Sequence, residues 1–142
     1  MGRRAAGPYS EGRAISMRGR GGGPDVRVVW SRSLTLPPSH FQTHIESNGA
    51  TVRLRLSGEL DLACQPHLDA ILREVEQESE HVILDLGGLS FIDSTGLRTI
   101  LVAWHRTREE GVKLTVVPGA EPVWRTLRMT GLDRVLPIAE DA

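Results

Sequence analysis

This sequence contains very little cysteine and few aromatic residues, and it has no long hydrophobic run. Among its 142 residues Cys64 is the single cysteine, and aromatic residues make up 4%. One thiol excludes an intramolecular disulfide, and nothing indicates an oxidising compartment. No apolar run approaches the roughly 18 residues of a membrane span, and no signal peptide is recognisable at the N-terminus. These absences predict a cytoplasmic protein without a membrane partner.

Basic and acidic residues are distributed unevenly along the chain. Residues 1–38 carry seven Arg and two acidic residues, a balance of +5, whereas residues 39–142 carry ten basic and sixteen acidic residues, a balance of −6. The acidic body argues against a nucleic-acid partner, because contacts with phosphates supply most non-specific affinity.

The first 38 residues are rich in Gly and Arg and contain few large apolar side chains. Such a segment buries too little surface to offset its ordering entropy, which predicts a disordered basic leader. We interpret it as dispensable; contact of the basic tail with nucleic acid or acidic lipid is the alternative. Residues 39–142 are predicted to form one domain.

Periodic hydrophobicity begins after residue 39. Val52, Leu54 and Leu56 alternate with arginines, which predicts a strand with one buried face. The Asn48-Gly49 pair predicts a hairpin turn to an earlier strand around Ile45.

Further along, apolar residues repeat at helical spacing in three segments. Pro66 suits the first turn of the first helix, and Gly111 is a natural stop for the second. Apolar runs at 81–86, 112–117 and 134–138 predict further strands. The predicted class is α/β, in the order β-β-α-β-α-β-α-β, with helices packed on a mixed, mainly parallel sheet of about five strands.

The stretch FIDSTGLRTIL at 91–101 places an acid, two hydroxyls and a glycine where a strand gives way to a helix. Ser94 can be read there as a nucleophile, a phosphate ligand, a helix cap or a residue modified by another protein. A nucleophile elbow requires Gly two residues before the serine, but Ile92 occupies that position. His67 and His105 fall within or near predicted helices, so neither suits the general base of a triad.

Phosphate-loop and metal signatures are also incomplete. A P-loop needs a Gly-rich turn followed by Lys and a hydroxyl residue, whereas the single Lys113 lies in a predicted strand. Cys64 and His67 have a ligand-like spacing, but no second pair completes a four-ligand site. We therefore predict a non-enzyme with no cofactor and no bound metal.

The remaining explanation is the helix N-terminus itself. Asp93 or Ser94 can cap the helix, and Gly96 removes side-chain bulk, as expected if another molecule approaches closely. A phosphate on the hydroxyl would be tolerated by the helix dipole and the amides of the first turn. The added charge beside Asp93 would repel a partner packed over that turn. These properties are typical of a switch that acts on an interface while the fold survives.

Four blocks in order resemble the STAS-domain anti-sigma factor antagonists, also called anti-anti-sigma factors. They are GELDLACQPHL (58–68), VILDLGGLSFIDSTGLRTIL (82–101), GVKLTVVPG (111–119) and TGLDRVLPI (130–138), and the resemblance covers about residues 42–139. It implies a STAS-like fold that binds a cytoplasmic anti-sigma factor and thereby frees a sigma factor. That partner is typically a serine kinase, which phosphorylates the antagonist; a phosphatase reverses the reaction.

By position, the resemblance implies that Ser94 is the phosphoacceptor and that its neighbour Thr95 is usually not modified. The partner-binding surface then comprises Gly58, Glu59, Leu60, Asp61, Asp93, Ser94, Thr95, Gly96 and Leu97. The alternative use of such a domain is as a scaffold, or as an accessory subunit in a sensing complex or transporter system. Two features depart from the family: the basic leader, and the short stretch after residue 138, where a further helix is usual.

Overall fold

The computed structural model describes residues 37–139 and the backbone of two short strands earlier in the chain. The strands are β1 (Ile15–Met17), β2 (Val26–Val29), β3 (Phe41–Asn48), β4 (Thr51–Leu60), β5 (His81–Ile92) and β6 (Lys113–Val117). The helices are α1 (Gln65–Glu78), α2 (Ser94–Glu110) and α3 (Glu121–Met129), with short 3-10 turns at Leu62–Cys64 and Leu132–Arg134. The alternation of strands and helices confirms the predicted α/β class.

The six strands form one mixed sheet whose spatial order follows the chain, from β1 to β6. β1, β2, β3 and β4 pair antiparallel in succession, whereas β4, β5 and β6 pair parallel. Two of these strands lie within the segment for which the sequence predicts disorder; the rest of residues 1–36 lies outside the described residues. β2 pairs with β3, and β1 pairs with β2.

The predicted hairpin is confirmed. β3 and β4 pair from Phe41 with Gly58 to Asn48 with Thr51, and Gly49 adopts a φ of +66° at the turn. Along β4 the side chains of Val52, Leu54 and Leu56 are buried, in the alternation that the sequence predicts.

The prediction of a last strand at 134–138 is wrong, because this segment does not form a regular strand. The 3-10 turn Leu132–Arg134 takes up its first residue, and within the segment only Ile138 makes a parallel bridge, to Val116. Pro137 explains the interruption, because it has no N–H to donate to a ladder. Its carbonyl still accepts a hydrogen bond from the Val116 amide at 2.9 Å, so the segment is held against β6 without becoming a strand.

The helices bury the stripes that the sequence predicts. α1 contains Pro66 in its first turn, and α2 ends at Gly111, whose φ of +77° supplies the left-handed cap. The buried side chains of the three helices pack with β4 and β5 in one core: Leu68, Ile71, Leu72, Val75, Leu97, Ile100, Ala103, Val123 and Leu127. Within the described residues, none of the helices combines the length and apolar character needed to cross a bilayer.

A buried ion pair joins α1 to α2. Arg106 donates from Nε to Oε1 of Glu76 at 2.6 Å and from Nη2 to Oε2 at 2.8 Å. The Glu76 side chain is only 2% exposed. Burial raises the pKa of the Glu76 carboxyl, and the hydrogen bond from Arg106 opposes that rise. The guanidinium therefore favours the charged form of a carboxylate that is buried between the two helices.

We expect Arg106→Ala to lower the free energy of unfolding by about 3–5 kcal/mol at neutral pH, because it strips the buried carboxylate of its guanidinium. Without Arg106 the pKa of Glu76 in the folded state rises further above its unfolded value. The folded variant then binds a proton that the unfolded chain releases, so its deficit grows as pH rises from about 4 towards 7. Urea unfolding at several pH values measures this dependence.

Arg128→Ala is the matched control, because Arg128 is exposed and pairs with the exposed Glu121 on the surface of α3, away from Glu76. Its loss should stay below about 1 kcal/mol at every pH. A deficit of Arg106→Ala that is constant across the pH range would contradict the assignment to the Glu76 carboxylate.

Candidate functional site

Two segments predicted to act together meet at one edge of the sheet. β4 and β5 run parallel, and Leu60 pairs with Ile92 as both strands end. The Asp93 amide donates to the Leu60 carbonyl at 3.1 Å, which extends the pairing by one step. We call residues 58–62 together with residues 91–97 the carboxyl edge, because the carboxyl ends of both strands form it.

Asp93, not Ser94, caps α2. Its carboxylate accepts a hydrogen bond from the Gly96 amide at 3.0 Å, and its carbonyl accepts one from the Leu97 amide at 3.0 Å. Ser94 is the first residue of the helix, and it is exposed. The sequence left the cap open between the two residues, and the structure assigns it to the acid. The Ser94 hydroxyl is therefore not needed as the cap.

Gly96 points into the domain. A Cβ placed on it would lie 2.7 Å from Cγ of Leu60 and 3.1 Å from Cγ1 of Ile92. Leu60 and Gly96 are both buried. The interpretation that Gly96 makes room for an approaching molecule is thus wrong, because the space is taken by the side chains at the ends of β4 and β5.

The predicted surface residues divide into two groups by exposure. Leu60, Gly96 and Leu97 are buried, so their side chains support the carboxyl edge from below. The others are exposed or half-buried: Gly58, Glu59, Asp61, Asp93, Ser94 and Thr95. The exposed and half-buried residues of the edge therefore carry two hydroxyls and three carboxylates, whereas Leu60, Gly96 and Leu97 are buried beneath them.

Gly58 sets the course of the chain before Asp61. Its φ is +95°, and a Cβ there would lie 2.1 Å from the His40 carbonyl oxygen. That carbonyl accepts a hydrogen bond from the Glu59 amide at 2.9 Å, and the Ser90 hydroxyl donates to the Gly58 carbonyl at 3.3 Å. Only glycine combines this φ with such a close approach.

Asp61 lies in a group that the sequence did not bring together. Its carboxylate accepts from the Ala63 amide at 3.1 Å and lies 3.0 Å from Nε2 of His40. The Cys64 thiol lies 3.2 Å from Oδ1 of Asp61. His40, Asp61 and Cys64 can together supply metal ligands. The ligand-like spacing of Cys64 and His67 is misleading, because the His67 ring contacts Thr43 and Phe41 instead.

Titration in this group follows from its contacts. The thiol of Cys64 and then the His40 ring hold the pKa of the Asp61 carboxyl below its ordinary value. Burial raises the pKa of the Cys64 thiol to about 11. At neutral pH the thiol is therefore protonated, which argues against a nucleophilic cysteine.

The carboxyl edge also contains two exposed apolar side chains that the sequence did not predict. Leu62 is 69% exposed and Phe91 is 47% exposed. Phe91 pairs with Glu59 across the two strands, and Leu62 follows Asp61 directly. Periodicity alone assigns such residues to the core, so no signal in the sequence marks their exposure.

Each of the five histidines contacts a residue other than Ser94. His40 lies against Asp61, His44 against Glu46, His67 against Thr43 and His81 against Thr115, and the His105 ring lies beside Trp104. The Asp93 carboxylate is engaged with the helix amide. None of these contacts places a histidine as a general base for Ser94.

Comparison with known proteins places this geometry in a family. Residues 42–142 match the STAS domain. The anti-sigma F factor antagonist of Paenibacillus polymyxa is 33% identical over 104 residues, which cover 72% of this chain and 89% of that protein.

Solved structures share the fold. An anti-sigma factor antagonist from Mycobacterium paratuberculosis superimposes with a TM-score of 0.65 at 23% identity, over 74% of this chain and 91% of that one. The anti-sigma factor antagonist SpoIIAA in its unphosphorylated form gives 0.59 at 23% identity, over 70% and 90%. The phosphorylated form of SpoIIAA from Bacillus gives 0.54 at 21% identity, over 71% and 92%. These likenesses confirm the predicted STAS-like fold.

We expect Gly96→Ala to lower the free energy of unfolding by about 1–3 kcal/mol, because the new methyl group overpacks Leu60 and Ile92. In an open helical position the same change would raise stability by up to about 1 kcal/mol. Urea denaturation of the protein measures whether Gly96→Ala lowers or raises the free energy of unfolding.

Arg98→Ala on the exposed face of α2 is the control, and it should change stability by less than about 0.5 kcal/mol. The double variant Leu60→Ala/Gly96→Ala should lose less than the sum of the two single variants, because the smaller residue 60 leaves room for the methyl. A stabilised Gly96→Ala would show that the Cβ position is open.

Proposed function

Because this chain belongs to the STAS-domain family of anti-sigma factor antagonists, we propose that it binds a cytoplasmic anti-sigma factor and thereby releases a sigma factor. We further propose that the partner is a serine kinase, that it phosphorylates Ser94, and that the modification ends the complex. A phosphatase then restores the binding form. The observation that carries the proposal is the exposed Ser94 hydroxyl at the start of α2, beside a surface of carboxylates and apolar side chains.

The fold is suited to accept a phosphate at this position. Ser94 is the first residue of a 17-residue helix, and the amide end of a helix favours an anion. Its hydroxyl points away from the core, so modification displaces no buried group. The capping bond from the Gly96 amide to Asp93 does not use the Ser94 hydroxyl, so modification of Ser94 removes no part of the cap. Modification is therefore compatible with the folded domain.

The same phosphate is incompatible with a packed interface. It adds about −1.5 to −2 charges at neutral pH, next to the half-buried carboxylate of Asp93. A partner lying over Leu62, Phe91 and the first turn of α2 would have to bury that charge. Burying the charge destabilises the complex and not the free domain. Phosphorylation would therefore dissociate the partner while the domain remains folded.

The surface also limits the kind of partner. Glu59, Asp61 and Asp93 make the carboxyl edge acidic, while Leu62 and Phe91 provide exposed apolar area. Such a surface complements a protein with a basic and apolar face, and it repels nucleic acid and acidic lipid. The domain itself acts without catalysis: its thiol is buried and protonated, and its histidines lie against other groups.

We expect the anti-sigma factor kinase, captured with the tagged chain from the native cell and then purified, to transfer one phosphate from ATP to this protein. Ser94→Ala should abolish the added mass in intact-protein mass spectrometry, because the acceptor hydroxyl is gone. Ser90→Ala and Thr95→Ala are the matched controls, since the Ser90 hydroxyl bonds to Gly58 of the carboxyl edge and Thr95 lies within that edge.

Undiminished phosphorylation of Ser94→Ala would overturn the assignment of the acceptor. Capture that recovers other STAS proteins or membrane components, and no kinase, would instead favour the scaffold or transporter role.

We expect Ser94→Asp to weaken the complex with the captured anti-sigma factor at least about tenfold, equivalent to about 1.4 kcal/mol, because the carboxylate places a second charge beside Asp93. Ser94→Asn has nearly the same shape without the charge and should bind much more tightly than Ser94→Asp. Calorimetric titration measures both affinities.

The circular dichroism melts of the two variants should agree within about 2 °C, since an acid in the first turn of a helix does not destabilise it. Equal affinities of Ser94→Asp and Ser94→Asn would contradict a charge-operated switch.

A further inference from the structure

Three side chains of different chemistry converge beside the carboxyl edge. His40 precedes β3, Asp61 follows β4, and Cys64 ends the 3-10 turn before α1. His40 Nε2 lies 3.0 Å from Asp61 Oδ2 and 3.8 Å from Cys64 Sγ, and Sγ lies 3.2 Å from Asp61 Oδ1. An imidazole, a carboxylate and a thiol thus surround one point, although His40 and Cys64 are 24 residues apart.

The backbone holds these residues in place. The Glu59 amide donates a hydrogen bond to the His40 carbonyl at 2.9 Å, which connects the turn before β3 to the end of β4. The Cys64 amide donates a hydrogen bond to the Asp61 carbonyl at 3.0 Å, and the Ala63 amide donates one to the Asp61 carboxylate at 3.1 Å. Gly58 allows the close approach of the His40 carbonyl. The three side chains are therefore positioned by the fold and need no large rearrangement to share a ligand.

The spacing matches the edges of a tetrahedral metal site. With Zn–S near 2.3 Å and Zn–N and Zn–O near 2.0–2.2 Å, tetrahedral geometry separates neighbouring ligand atoms by about 3.4–3.6 Å. His40 Nε2 and Cys64 Sγ are 3.8 Å apart, and the Asp61 carboxylate meets the nitrogen through Oδ2 at 3.0 Å and the sulfur through Oδ1 at 3.2 Å. With one ligand atom taken from each residue, all three atoms lie within 4.8 Å of one another, which is close to the separation that a tetrahedral ion requires.

We propose that His40, Asp61 and Cys64 form a Zn²⁺ site with three protein ligands and one position open to solvent. Nitrogen and sulfur ligands favour a borderline-soft transition ion over Mg²⁺ or Ca²⁺, which prefer oxygen. Binding replaces the thiol proton, which leaves to solvent, by a Zn–S bond. His40 and Asp61 are 37% and 33% exposed, which gives an ion a path to the buried sulfur.

A catalytic triad does not explain this group. Asp61 and Cys64 both approach the same nitrogen, Nε2 of His40, whereas a triad places acid and nucleophile on opposite ring nitrogens. Asp61 belongs both to this group and to the carboxyl edge, but the test is independent of the proposed switch, because it measures ion binding to this chain alone.

The experiment uses the full chain with any affinity tag removed and the thiol kept reduced by a non-chelating reductant. After dialysis against Zn²⁺, elemental analysis should find one equivalent per chain, and the melting temperature should rise relative to the metal-free protein. With Co²⁺ in place of Zn²⁺, a thiolate-to-metal charge-transfer band should appear in the near ultraviolet.

His40→Ala and Cys64→Ser should lose the band and most of the bound metal. His44→Ala is the matched control, because His44 also lies beside a carboxylate, that of Glu46 at 3.4 Å, and should leave binding unchanged. If Cys64→Ser fails to fold, the metal content of the His40→Ala variant tests the proposal, because His40 is exposed. A wild-type chain that holds no stoichiometric metal, or a His40→Ala variant that holds as much as wild type, would overturn the proposal.

Discussion

The parallel pairing of β4 with β5 is the contact on which the functional edge depends. It ends with Leu60 opposite Ile92, continues through the amide of Asp93, and leaves a space above both side chains that only Gly96 fits. A register shift of one residue would turn these side chains to the other face of the sheet. The start of α2, and with it Ser94, is thus fixed by strand pairing and by core packing.

This construction separates the surface from the core. The groups that hold α2 are the Asp93 cap at its start, the Gly96 contact beneath it, and the buried Glu76–Arg106 pair nearer its end. None of them uses the Ser94 hydroxyl. A charge added to that hydroxyl therefore acts on whatever lies over the edge, which is the physical requirement for a reversible contact.

Most elements were predictable because their patterns are local. The alternation in β4, the Asn48-Gly49 turn and the stripes of α1 and α2 depend on neighbours a few residues apart. The segment at 134–138 has a strand-like composition, but Pro137 removes a donor, and the segment makes one bridge only. Gly96 was misread because its reason lies in Leu60, 36 residues away in the chain.

By itself, the sequence determined the class of fold, the family and the position of Ser94, since these depend on periodicity and on contiguous motifs. Only the tertiary structure decided that Asp93 is the cap, that Leu60, Gly96 and Leu97 are buried, and that Leu62 and Phe91 are exposed. It also brought His40 to Asp61 and Cys64. The physical reason is that burial and side-chain proximity arise from strand register and chain reversal, which join residues that no local pattern connects.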